Sequence, residues 1–125
     1  MTYTELNKKG NFDFWDKNKL AEIKDGKFNN TIGELLYEND EVIAWNIELQ
    51  PSERLPFRRH TNNYSCRSLT DGLLVSRNVD GSAMLLRFNK GDSFFWDCTK
   101  NEMIHDLENV GEDKVEISII EEKSK

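Results

Sequence analysis

The sequence predicts an all-β protein on three observations. Short segments with apolar residues at every second position recur from residue 31 to residue 120. Turn-forming residues stand between them at nearly even spacing. No long stretch with helical periodicity interrupts them, and such a pattern belongs to a sandwich, jelly roll or barrel.

Along the chain, residues 1–30 are polar, rich in Lys and Asn, and dotted with the aromatics Tyr3, Phe12, Phe14, Trp15 and Phe28. Their one helical signal is Asp16 to Lys24, where Leu20, Ala21 and Ile23 form a small apolar stripe. The expected organisation is an N-terminal arm over residues 1–30, lying on a β-barrel domain over residues 31–125. In Glu41 to Leu49 the residues Ile43, Trp45, Ile47 and Leu49 share one side, as in a half-buried strand. Further strands are expected over Tyr64 to Thr70, Leu73 to Arg77, Ala83 to Phe88, Ser93 to Trp96, Met103 to Leu107 and Val115 to Ile120. The turns between them are Asp71-Gly72, Asp80-Gly81, Lys90-Gly91-Asp92 and Asn109-Val110-Gly111, with Asp80-Gly81 the clearest hairpin signal.

Composition narrows the function classes. The chain has 125 residues, 37% hydrophobic and 32% charged, enough apolar content for one folded domain and too much for wholesale disorder. A net charge of −6 argues against a phosphate-backbone binder, which needs a surplus of Lys and Arg, so no nucleic-acid partner is expected. No apolar run approaches the roughly 20 residues that span a bilayer, and the first residues hold no apolar signal core, so no membrane partner and a cytoplasmic location are expected. Cys66 and Cys98 form no CxxC pair and are expected as reduced core thiols.

The candidate site residues begin with the two histidines. His60 ends the run Leu55-Pro56-Phe57-Arg58-Arg59, and strand alternation puts Arg58 on the same face as His60 and Arg59 on the other. His105 shares a side with Met103 and Leu107, while Asp106 and Glu108 point the opposite way. Glu102 stands just before that strand, where it could fold in as a base or ligand. Phe94, Phe95 and Trp96 read as barrel core.

The stretch LQPSERLPFRRHTNNYSCRSLTDG resembles the first cupin motif, a turn followed by His-x-His, a Glu and a closing Gly. NKGDSFFWDCTKNEMIHDLENVG resembles the second, which opens on Gly-Asp and ends on His-x-x-x-Asn. Together they cover roughly residues 33 to 121 and imply a cupin-type double-stranded β-helix, or jelly-roll barrel. In look the chain is similar to the short cupins of bacterial catabolic gene sets, such as those linked to β-alanine degradation. The resemblance implies a divalent metal bound inside the barrel by two His and one Glu of the first motif and one His of the second. His60 and His105 match two of these positions, and Asn109 matches the Asn that closes the second motif. Arg58 stands where the first His belongs, and the window for Glu holds Asn62, Asn63, Tyr64 and Ser65.

Two neutral imidazoles beside a guanidinium make a weak transition-metal site, because the fixed cation repels the metal and no carboxylate offsets its charge. The expectation is therefore no cofactor, or a weakly held divalent metal on His60 and His105. Asn63 or Tyr64 is a possible oxygen donor and Cys66 a sulfur donor. Arg58, His60, Tyr64 and His105 are expected instead to bind a small organic acid or other anion. The alternative is a metal-dependent dioxygenase, isomerase or lyase that uses His60 and His105 with non-standard ligands. A third reading is a structural or regulatory homodimer with a filled cavity. Because exposed sheet edges invite pairing and the arm is rich in aromatics, a homodimer is expected, anchored by Phe12, Phe14 and Trp15.

Overall fold

The computed structural model describes residues 1–12, 15–28, 31–98 and 102–123. Ten strands and one helix follow in the order β1 (Thr2–Asn7), α1 (Lys17–Asp25), β2 (Glu34–Glu38), β3 (Val42–Leu49), β4 (Arg54–His60), β5 (Tyr64–Ser68), β6 (Gly72–Arg77), β7 (Ala83–Phe88), β8 (Ser93–Trp96), β9 (Met103–Asn109) and β10 (Val115–Glu122). They form two five-stranded antiparallel sheets, ordered β1-β7-β6-β9-β4 and β2-β3-β10-β5-β8. Alternation carries the core: Trp45, Ile47 and Leu49 on β3 are buried together with Val115, Ile117 and Ile119 on β10, which stand opposite them in register.

All seven strands expected from alternation are present, with ends that shift by a residue or two. The Asp80-Gly81 hairpin closes as expected, with Gly81 at φ 96 and Ser82 N donating to Asp80 Oδ1 at 2.9 Å. Gly91 turns at φ 90 between β7 and β8.

The first thirty residues do more than lie over the barrel. Strand β1 extends the first sheet by pairing with β7, and Asn7, at its buried end, donates through Nδ2 to Gly81 O at 2.8 Å. Helix α1 is capped at one end by Asp16, which accepts from Lys19 N at 2.8 Å, and at the other by Gly26 at φ 68. Arg54 of β4 holds it to the barrel, with Nη1 2.6 Å and Nη2 3.3 Å from the two carboxylate oxygens of Glu22. Trp15 is buried against its own chain, stacked on Phe57 at 5.6 Å between ring centroids. The ring, expected as an intersubunit anchor, is 8% exposed in the single chain. Phe12 packs edge-on against Trp15 at 5.1 Å, and Phe14 lies outside the described residues.

Strand β4 carries a bulge. Leu55 pairs with Leu107 and Arg58 with His105, so three steps on β4 match two on β9. Pro56, which has no N–H to offer a ladder, sits inside this irregular stretch. The extra residue lets Leu55 and Arg58 both face the barrel interior while Phe57 turns outward beneath Trp15.

A candidate anion site inside the barrel

Between the sheets lies a cavity of about 90 Å³. The four candidate residues, Arg58, His60, Tyr64 and His105, all line it. They come from β4, β5 and β9: Arg58 and His105 are cross-strand partners, and His60 stands between the two others, its ring 4.8 Å from that of His105 and 4.9 Å from that of Tyr64. Two polar residues that the sequence reading passed over, Ser76 and Asn78, complete the polar part of the wall. Their signal is alternation along β6 and the residue after it, since Leu74, Ser76 and Asn78 lie two apart.

The hydrogen bonding of this group is incomplete. Arg58 Nε and Nη1 and His105 Nε2 are buried and have no partner among the described residues. The other ring nitrogen of His105, Nδ1, lies 2.9 Å from Ser76 Oγ. When the Ser76 hydroxyl donates to Nδ1, Nε2 carries the hydrogen and becomes a third donor without an acceptor. The Tyr64 hydroxyl has only a long contact to Met103 Sδ, at 3.9 Å.

Electrostatics follow from burial beside a fixed cation. Burial, then the neighbouring charges of His105 and Arg58, take His60 down to about 3. Burial also takes His105 down to about 4, outweighing the upward pull of Asp106. Both rings are therefore neutral at pH 7. Burial lowers Arg58 as well, and it remains the one cation lining the cavity among the described residues. Burial pushes Tyr64 far above the ordinary phenol range, so it stays a neutral donor. Cys66 faces the cavity and Cys98 is buried; burial raises both thiols, Cys98 to about 11 and Cys66 further, which keeps them from acting as thiolates at neutral pH.

Other candidates fall elsewhere. Glu102 is exposed, 3.9 Å from Arg59 at the surface, and does not line the cavity, so its reading as an inward base or ligand is corrected. Arg59 faces outward as expected. Asp106 points away from the cavity and is fully buried: its carboxylate takes Arg54 Nε at 2.7 Å, Arg77 N at 2.7 Å and Arg77 Nη1 at 3.0 Å. Glu108 pairs with Arg77 at 3.0 Å. Asn109 is structural, its Nδ2 donating to Leu49 O and Asp113 O and its Oδ1 accepting from Gly111 N. Asn63 is engaged by Cys98 N at 2.9 Å, and Ser65 lies on the outer face. Phe94 and Trp96 line the cavity, whereas Phe95 is 55% exposed and is not core.

A metal fits this donor set poorly. Two neutral imidazoles supply two nitrogens, no carboxylate among the described residues lines the cavity, and Arg58 occupies the third side with a positive charge. Among the described residues no group of three or more His, Cys, Asp or Glu is gathered as a metal would require.

No protein-family model matches the sequence, and no curated protein matches it. Solved structures do match the fold. A cupin domain from Bordetella pertussis Tohama I aligns at TM-score 0.66 and 20% identity, over 78% of this chain and 98% of that one. An RmlC-like cupin with a double-stranded β-helix fold from Methanocaldococcus jannaschii aligns at TM-score 0.58 and 15% identity, over 73% and 78%. A cupin superfamily protein from Desulfitobacterium hafniense DCB-2 aligns at TM-score 0.55 and 13% identity, over 78% and 82%. The chain thus has the cupin fold, a double-stranded β-helix, as the two sequence motifs imply. No helix among the described residues is long and apolar enough to cross a membrane.

Proposed function

We propose that the protein binds a small organic anion inside its barrel, with Arg58 as the counter-charge and His60, Tyr64 and His105 as neutral partners. One observation carries this reading: Arg58 Nε and Nη1 and His105 Nε2 are buried nitrogens that nothing among the described residues satisfies. Guanidinium N–H groups that are buried without an acceptor are costly, and an anion at this place offsets that cost. Charge-assisted bonds from Arg and a neighbouring imidazole are the strong kind, and they hold a carboxylate well. Among the described residues the wall offers no carboxylate for an ammonium group, so a simple organic acid suits it better than an amino acid such as β-alanine. A homodimer is part of the same proposal, through a surface other than Trp15.

Thermal unfolding in the presence of small carboxylates tests the reading. A ligand at 100 times its Kd stabilises by about 2.7 kcal/mol, so the melting temperature of the wild type should rise by several degrees. Arg58→Met should fold and lose most of that rise. Equal stabilisation of both proteins would remove Arg58 from the site.

A further inference from the structure

The cavity is polarised along its length. At one end Arg58 stands opposite His105, Asn78 bridges to His105, and Tyr64 approaches from the second sheet to pack on His60. Toward the other end the same strands present only hydrocarbon: Leu55 opposite Leu107, then Leu74 opposite Leu86, and last Phe88 opposite Gly72. The two sheets agree about which end is which. A Cβ on Gly72 would lie 2.4 Å from the Phe88 ring and 3.0 Å from Val115 Cγ2, so the first residues of β10 close the apolar end, while Tyr64 pairs with Glu121 near the far end of β10. Leu74 and Phe88, at the apolar end, are almost completely buried.

A binding site with donors and one cation at one end and hydrocarbon at the other selects a molecule built the same way. We propose that the ligand is a short-chain monocarboxylate, its acid group at Arg58 and His105 and its hydrocarbon tail directed to Leu74, Leu86 and Phe88. This rests on the anion reading above and adds the tail. A single charge is required because Arg58 is the one cation on the wall among the described residues, so a second negative charge would be buried without compensation. The tail is short because the cavity is small, about 90 Å³.

A ladder of sodium salts from acetate to octanoate, titrated calorimetrically into the full chain, tests the inference, with straight-chain alcohols, dicarboxylates and inorganic phosphate alongside. Affinity should rise about fourfold for each added methylene until the tail fills the cavity, then stop rising, since burying one methylene contributes that factor. Leu74→Ala should move the stopping point to a longer chain. If that variant does not fold, the ladder on the wild type still decides. Affinity independent of chain length, or a preference for dicarboxylates or phosphate, overturns the tail and leaves the anion reading intact. Alcohols that bind as tightly as acids, or no acid that binds at all, overturn both.

Discussion

The two histidines and Arg58 crowd into one cavity, and the cost of protonating them there sets a pH dependence. His60 and His105 have ordinary values of 6.5 and are lowered to about 3 and about 4 in the folded chain. Above pH 6.5 both are neutral whether the chain is folded or not. Below it the unfolded chain takes up protons that the folded chain refuses, so stability falls as the pH drops from 6.5 toward 4. The groups that face these rings are Arg58 and Tyr64, with Ser76 at His105; the carboxylate of Asp106 is turned to the other side and held by two arginines. Urea unfolding midpoints measured between pH 7 and pH 5.5 should decline for the wild type and stay nearly level for His60→Gln combined with His105→Gln. Parallel declines in the two proteins would show that other groups set the slope.

At the level of elements, alternation makes the inner strands legible, together with the edge strand β8, and leaves β1 and β2 unread. Strands β3, β5 and β10 bury one face, so their apolar residues fall on every second position, and they were read directly from the sequence. All five residues of β2 are exposed, and five of the six in β1, so these edge strands carry no burial pattern to read. The site was legible in part for the same reason. The shared face of Arg58 and His60, and that of Met103, His105 and Leu107, follow from the period of two, whereas the orientation of Arg58 relative to Leu55 depends on a bulge that no local pattern announces. Glu102 was misread because it precedes β9, where alternation no longer constrains it. The link from α1 to β4 is a tertiary contact and gives its own prediction. Trp15→Ala removes a buried ring stacked on Phe57 and should lower stability by about 3 kcal/mol in urea, the usual loss for a large buried aromatic. A loss under about 0.5 kcal/mol would mean that the segment before α1 is not held on the barrel.

For the whole molecule, the outer face of the second sheet bears on assembly. Tyr37, Ala44, Ile120, Ser65 and Phe95 follow one another in register across all five of its strands, and Tyr37, Ile120 and Phe95 are 57%, 40% and 55% exposed. A two-fold axis along β10 would set Ile120 against its own copy and Tyr37 against Phe95, the self-matching arrangement of an isologous contact. This face is the place we propose for the homodimer. Light scattering should give twice the chain mass for the wild type and a shift toward the single chain for Ile120→Lys. A wild type that is monomeric at high micromolar concentration would exclude the homodimer, and a dimer untouched by the substitution would move the contact elsewhere.

The bulge between Leu55 and Arg58 has a consequence for how such a cavity can change. In a regular strand the lining residues are locked to one another by parity, and any change in length turns half of them outward. Here a single inserted position separates the hydrocarbon part of β4 from its charged part, so that each keeps its own phase. Loss of that residue would leave either Leu55 or the Arg58–His60 pair facing solvent, and Arg59 would compete for the interior. In this barrel chain length is as much a determinant of chemistry as side-chain identity, and a one-codon deletion is a more drastic edit to the cavity than any substitution along its wall.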